Sequence, residues 1–537
     1  MVSTLWRTRS HELILILVII LFAWLRFGLV AVPLERDEGE YAYAGQLILQ
    51  GLPPYQDVYT MKLPGVHLMY AGIMALFGQT HQGIHIGLIL INAVVIITLF
   101  LLGRKLVGPL AGLTAAGVFA VLACGQAIQG IFANAEHFVI LFAVPGFLLL
   151  HKALDENRPL LLGLSALLLG TCILMKQHGA LFPAFGLIYG AARVVLKRNN
   201  HTLKQGLFQV TLFGFMAAIP FGITCLIFFS LGIFDAFWLW TFEYARAYAT
   251  SIPLSVAWLG LKSAVTGIVK DAPLIWLLVI GGAACLLSKT ASRSSRLFIA
   301  GFALASFLAT VPGFYFRFHY FILVLPAASL LAGLAVHGFS RSRLIGRVVN
   351  KHHLLASVFV VTVIVVTLLS SREFLFSMTL HEVSRSTYGL NPFPESLEIA
   401  RFIQEHTTEH DRIAVIGSEP QILFYARRRS ATGHIYMYPL MESHAFALSM
   451  QEEMIREIEA AEPTVLVYVN VDVSWLMRPD SHRHLFQWLN HYGSTHYTPV
   501  GLVRIMREET VYEWAPPVRI PQDTRTWILV LQRREMR

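Results

Sequence analysis

Long apolar runs separated by short, mostly basic connections fill the first two-thirds of the chain. Runs near 11–32, 84–103, 109–126, 135–152, 159–176, 179–196, 206–231, 272–288, 297–313, 318–338 and 353–371 predict about eleven spanning helices, since roughly 20 apolar residues cross the hydrocarbon core. The stretch 64–78 is apolar but too short to span, and is expected to lie at the interface. From Arg372 onward the pattern changes to alternating helix and strand signals. PESLEIARFIQEH, PQILFYARRR, MQEEMIREIEAA and a segment near 480–491 predict helices. RIAVIGS, TVLVYVNV and a segment near 499–506 predict short strands. The expected fold is therefore mostly α: residues 1–371 form a polytopic membrane bundle with an outer loop at 33–83. Residues 372–537 form a small α/β domain.

Composition agrees, with 55% hydrophobic and only 14% charged residues, against roughly 25% charged in soluble domains. The net charge of +9 would suit nucleic acid if it were spread evenly, but it is not. Residues 1–371 hold 25 lysines and arginines against 12 acids, residues 372–537 hold 17 against 21, and no lysine follows Lys351. The clusters Arg7/Arg9, Arg104/Lys105, Lys152/Arg158, Lys197/Arg198/Lys204, Lys289/Arg293/Arg296 and Arg341/Arg343/Arg347/Lys351 fall on alternate connections. The positive-inside rule places these connections and the N-terminus in the cytoplasm and the tail outside. Arg7 and Arg9 precede the first run, and no small-x-small site follows it, so this helix is expected to be retained. Cys124, Cys172, Cys225 and Cys285 all lie in apolar runs and read as small buried residues.

With this topology, nine of the twelve acids before residue 372 lie outside, and five of them share one loop: Glu35, Asp37, Glu38, Glu40 and Asp57. Asp37 and Glu38 precede a helical stretch ending near Gln50, whose Tyr41, Ala44, Leu47 and Ile48 recur on one face, so the helix is expected to lie flat on the membrane. A carboxylate at its start could take a proton from an attacking hydroxyl; a helix cap with solvated acids is the other reading. Lys62 in MKLPG, Lys176 in ILMKQHG, and Arg317 and His319 in FYFRFHYF are expected at the same boundary. Together they could hold an anionic headgroup and neutralise a departing phosphate; singly, each also reads as an interfacial anchor. Glu136, at the start of the fourth run, is a second outer acid. With His137 it could hold a metal, which is otherwise unassigned.

The segment ERDEGEYAYAGQLILQG–PPYQDVYTMKLPG resembles the first outer loop of GT-C fold polytopic glycosyltransferases. It is most similar to the bacterial branch of lipid A aminoarabinose transferases and lipopolysaccharide galacturonosyltransferases, with protein O-mannosyltransferases more distant. FRFHYFILVLP, ILMKQHG and GSEPQILFYARRRSATGHIY are supporting similarities. The resemblance implies inverting transfer of a sugar from a polyprenyl-phosphate donor to a lipid, polysaccharide or protein acceptor, outside the bacterial cytoplasmic membrane. It implies that Asp37 is the base, that Glu38 orients the acceptor, and that Glu136 is the second-loop acid. Lys62, Lys176 and His319 would meet the donor phosphate; Arg317 joins them as a donor-phosphate candidate by its position alone, and Glu40, Tyr41, Tyr55 and Asp57 are further loop candidates. A divalent cation is variable in this group, and no cofactor is assigned. Two departures stand out: Leu63 precedes Pro64 where a doubled proline is common, and Met61 stands where the aminoarabinose transferases carry an acid.

A lipid-phosphate donor needs no nucleotide fold, and no GxGxxG or Walker pattern occurs. The rival class is a transporter or flippase of a lipid-linked sugar, which should show internal repeats and helices broken at mid-membrane; the third is a non-catalytic membrane scaffold. In the tail, Arg427, Arg428 and Arg429 read as a solvated face, and nine scattered histidines carry no zinc spacing. The tail is expected to cover the acceptor side of the site. Trp238, Trp240 and Tyr244 read as interfacial belt residues, with sugar stacking the alternative.

Overall fold

Each of the eleven apolar runs coincides with a helix in the computed structural model, which describes residues 2–196, 203–250, 252–341, 352–515, 518 and 525–534. Arg343, Arg347, Lys351, Lys197 and Arg198 of the expected basic clusters lie outside the described residues. Among the described residues, five helices are long and apolar enough to span alone: Ser10–Phe27, His81–Leu106, Ala135–Glu156, Lys204–Ser230 and Phe318–Ser340. Others are shorter; Pro109–Leu122 has 14 residues, about 21 Å at 1.5 Å per residue. The count by length is thus smaller than eleven. Proline at the first position starts Pro109–Leu122, Pro159–Met175 and Pro273–Cys285, fixing sharp beginnings that trim these helices.

Residues 234–271, expected as a loop, are largely helical. A run through Phe234–Ala249 with a π-helical turn at Leu239–Tyr244 meets the helix Leu254–Asp271 at a 95° bend. Lys262, Lys270 and Asp271 interrupt the apolar pattern and hide this helix.

The basic ends of the helices meet at one end of the bundle. Lys105 and Arg193 both pair with Asp155, at 2.9 and 2.8 Å, and Ser295 Oγ donates to the Leu106 carbonyl at 2.7 Å. The acid-rich loop lies at the other end, where Arg26 of the first helix is buried. Its guanidinium donates to the carbonyls of Ala123, Gly130 and Ile131 at 3.1, 2.7 and 2.9 Å, which fixes the backbone entering the helix Ala135–Glu156.

The tail forms a six-stranded mixed sheet. Its strands are β1 (Arg412–Ile416), β2 (Arg429–Ser430), β3 (Val465–Asn470), β4 (Tyr497–Ile505), β5 (Thr510–Glu513) and β6 (Trp527–Arg533), in the order β2-β1-β3-β6-β4-β5. β1 pairs parallel with β2 and β3, and the other pairings are antiparallel. The expected helices appear at Glu395–His406, Pro420–Ala426, Ala447–Ala461 and His484–His496. β5 and β6 were not expected, yet β6 is central, so the last described stretch of chain completes the sheet.

The loop helix, Arg36–Leu49, does not lie flat on the membrane. It is buried on nearly all sides, between the helix Pro64–Phe77 and the tail helix Pro420–Ala426. Gly39 permits this approach, because a Cβ there would sit 2.6 Å from the Gln421 backbone nitrogen. Gly39→Val should therefore loosen the tail at a cost of about 1–3 kcal/mol. Limited proteolysis should cleave the variant's tail faster than the parent's, with its membrane bundle intact; equal cleavage would refute this packing.

Candidate active site

The first turn of the loop helix organises the site, because consecutive helical residues are rotated by about 100° and so face different bodies. Glu35 caps the helix, accepting from the backbone N–H groups of Asp37 and Glu38. Burial, with Asp37 and Glu38 close by, pushes its carboxyl well above the usual range, against those two bonds. Arg36 turns to the tail, where it binds the Ser418 carbonyl, Glu419 (2.8 Å), the Tyr438 hydroxyl (2.8 Å) and Asn391 (3.0 Å). Glu38 turns to the bundle. One oxygen accepts from His85 Nε2 at 2.9 Å and from the Ala133 N–H at 2.5 Å, and the other accepts from the Glu35 N–H at 3.1 Å.

Asp37, between them, faces a cavity of about 430 Å³. Its Oδ2 lies 3.4 Å from Lys62 Nζ and 3.9 Å from His319 Nε2, and its Oδ1 accepts from the Tyr436 hydroxyl at 2.7 Å. Burial alone would raise the Asp37 pKa; Lys62, His319, the Tyr436 bond and Arg317 outweigh it and hold the carboxyl well below the usual range. Lys62 is the mirror case: burial opposes its charge, but Asp37 and the phenols of Tyr41 and Tyr320 keep the ammonium well above its ordinary pKa. Asp37 is therefore an ionised carboxylate, half-buried at the cavity wall.

Lys62 is set by its own turn. Tyr55, at a left-handed φ of 68°, donates to the Lys62 carbonyl at 2.7 Å, and Pro64 starts the next helix. Lys62 Nζ also donates to the Tyr41 hydroxyl at 3.2 Å. His319 is oriented by Gln129 at 3.1 Å, and the Arg317 guanidinium sits 5.5 Å from the Tyr315 ring centroid. Lys62, Arg317 and His319 all line the cavity with Asp37 and Glu40, whose Oε1 accepts from Thr60.

Other expected residues lie elsewhere. Glu38 does not line the cavity and holds the helix in place. Lys176 does not join the other cations: it pairs with Glu136 behind the wall, its Nζ 3.8 Å from the Tyr320 ring centroid. Glu136 is thereby occupied, and His137 is held by Asn92 at 3.1 Å. Tyr41 and Tyr55 are buried supports behind Lys62, and Asp57 pairs with Arg429 at 2.9 Å, away from the cavity. Nor do the three arginines form a solvated face. Arg427 is exposed, but Arg428 is buried on Thr407 and nearby carbonyls, and Arg429 clasps the loop.

A metal site does not fit the side chains present. Met61 brings a thioether to the cavity beside Lys62, and among the described residues no three His, Cys, Asp or Glu side chains gather as ligands.

The tail supplies cavity residues that sequence reasoning missed: Tyr388, Asn391, Phe393, Tyr436 and Tyr438. The Tyr-x-Tyr spacing in HIYMYPL was the available signal. Trp240 and Tyr244 also line the cavity rather than forming an outer belt. Trp240 stacks on Tyr59, with centroids 5.4 Å apart and 13° between planes.

This architecture has known counterparts. Residues 62–223 match the sequence profile of the dolichyl-phosphate-mannose-protein mannosyltransferase family. The structure is similar to ArnT from Cupriavidus metallidurans bound to undecaprenyl phosphate, with TM-score 0.60 and 15% identity, covering 96% of this chain and 97% of that one. It is also similar to the oligosaccharyltransferase AglB from Archaeoglobus fulgidus, in complex with an inhibitory peptide and a dolichol-phosphate. There the TM-score is 0.56 and the identity 12%, covering 97% and 76%. The chain has the GT-C fold. Comparison with curated protein sequences finds no match. The chain is a multi-pass membrane protein of this fold, its tail docked on the acid-rich loop.

The docking carries a titratable clasp. Burial pushes the Glu442 carboxyl up to about 6, although the Tyr244 hydroxyl, donating at 2.8 Å, lowers it. The folded state then binds this proton more tightly than the unfolded state, so stability falls as pH rises from about 4.5 to 6, by about 2 kcal/mol. Thermal midpoints at pH 5 and pH 7 should differ in this sense, and Glu442→Gln should shrink the difference, leaving the part due to Glu35.

Proposed function

We propose that this protein is an inverting glycosyltransferase that moves a sugar from a polyprenyl phosphate to an acceptor hydroxyl at the outer membrane face. The observation that carries this reading is one ionised carboxylate, Asp37, sharing a cavity wall with Lys62, Arg317 and His319. Asp37 takes the proton of the acceptor hydroxyl. The hydroxyl oxygen forms a bond to the anomeric carbon, and the bond from that carbon to the phosphate oxygen breaks with its electron pair. The negative charge that develops on the leaving phosphate falls among the three cationic or hydrogen-bonding groups, which is where such donors act most strongly. The family match and the two structural neighbours support a lipid-phosphate sugar donor.

The basic end of the bundle supports an orientation with that end in the cytoplasm and the cavity outside. Glu38 and the Glu136–Lys176 pair, which do not line the cavity, position the site, while Arg36 lines it and ties the loop to the tail. The tail closes the cavity on the side away from the bundle, which suits an acceptor-facing role.

The test uses full-length protein in membranes with undecaprenyl phosphates carrying mannose, galacturonic acid or aminoarabinose in turn, reading release of undecaprenyl phosphate by mass spectrometry. Asp37→Asn should cut release about 10²–10⁴-fold while the protein remains folded. Lys62→Gln should lower kcat by at least about tenfold, because Lys62 meets charge that develops on the leaving phosphate. Full release by the Asp37→Asn variant would rule out Asp37 as the base.

A further inference from the structure

One tail residue in the cavity bonds Asp37 directly and has no part in the chemistry above. Tyr436 belongs to the tail, 399 residues from Asp37 in sequence, and its hydroxyl donates to Asp37 Oδ1 at 2.7 Å. The backbone that carries it is fixed on both sides. The Tyr59 N–H donates to the Gly433 carbonyl at 2.8 Å, and a Cβ at Gly433 would meet the Tyr59 ring at 2.7 Å. The Met437 N–H donates to Ser418 Oγ at 2.8 Å. The Tyr438 hydroxyl bridges Arg36 and the Val473 carbonyl, and the Tyr436 ring packs on it, 5.4 Å between centroids.

We propose that Tyr436 is a positioning residue that divides the Asp37 carboxylate, locking Oδ1 so that Oδ2 is the atom that receives the acceptor proton. This inference rests on the reading of Asp37 as the base. A carboxylate free to rotate about its last bond offers several lone pairs in many directions, and general-base catalysis needs one of them aimed at the hydroxyl. With Oδ1 held by the phenol, Oδ2 alone faces the Lys62 ammonium and His319, the groups placed for the donor phosphate. The proton is thus removed beside the departing phosphate. Burial and the charges of Asp37, Glu40 and Glu35 push the Tyr436 phenol well above its ordinary range, so it stays protonated and acts only as a donor. The tail accordingly supplies a working hydrogen bond to the reacting centre, not only a cover.

The experiment compares Tyr436→Phe and Tyr436→Leu in the full-length protein in nanodiscs, with the undecaprenyl-phosphate sugar that the parent protein turns over. Phe keeps the ring packing on Tyr438 and loses only the hydroxyl, whereas Leu loses both. If Tyr436 positions Asp37, both variants lose kcat by about tenfold, with donor KM within about twofold and thermal midpoints close to the parent's. Parental kcat in Tyr436→Phe would overturn the proposal. So would a defect confined to Tyr436→Leu, which would reveal ring packing, or a rise in KM at constant kcat. If Asp37→Asn loses turnover and Tyr436→Phe does not, the base assignment stands and this inference falls. If Asp37→Asn also retains turnover, the base assignment fails with it.

Discussion

The structure depends on placing four consecutive ionisable residues in one helical turn, with Glu35, Arg36 and Glu38 buried and Asp37 facing the cavity. Taking a charge out of water costs several kcal/mol unless it is paired or well hydrogen-bonded. Glu35, Arg36, Asp37 and Glu38 are consecutive, and no single partner could serve them all. The helical rotation sends Glu35 to the helix's own N–H groups, Arg36 to the tail, Asp37 to the cavity and Glu38 to the bundle. Negative charge at a helix start is favourable to the helix dipole, which eases the placing of three acids there. Tail and bundle are therefore not independent: each neutralises part of the turn that holds Asp37.

The charge distribution along the chain becomes a spatial division. Lys105, Asp155 and Arg193 gather at one end of the bundle, while Asp37, Lys62, Arg317 and His319 gather at the other. The two ends differ in kind. At the first the ions pair with one another in partly exposed positions, as surface pairs do. At the second, Lys62 and Arg317 line a cavity beside Asp37, and the buried His319 imidazole is a neutral ring that can still hydrogen-bond a ligand.

Much of this was legible in the sequence. Apolar run length gave the helices of the bundle, and period-two and period-3.6 patterns gave β1, β3, β4 and the tail helices. The acid-rich loop was found because topology sorts charges by side. What a linear pattern does not carry is direction around a helix axis. It placed Lys176 near Lys62 in depth but could not show that Glu136 would capture it behind the cavity wall. For the same reason Glu38, one residue from Asp37, was grouped with it although the two face about 100° apart. Residues joined only by tertiary contact were invisible: Tyr436 and Asn391 reach the site through the docking of the tail on Gly39. β6 and the helix Leu254–Asp271 were missed for a different reason, the first lying beyond the last strand read and the second being broken by charges.

The proposed function requires Asp37 to act alone as a base in a single displacement. Glu35 is spent on capping and Glu40 accepts from Thr60, so among the described cavity carboxylates Asp37 is the one that faces Lys62 and His319. The most direct measurement is the anomeric configuration of the transferred sugar, read by NMR on the product and compared with that of the polyprenyl-phosphate donor. A single displacement with Asp37 as base gives inversion. Retention of configuration would contradict it.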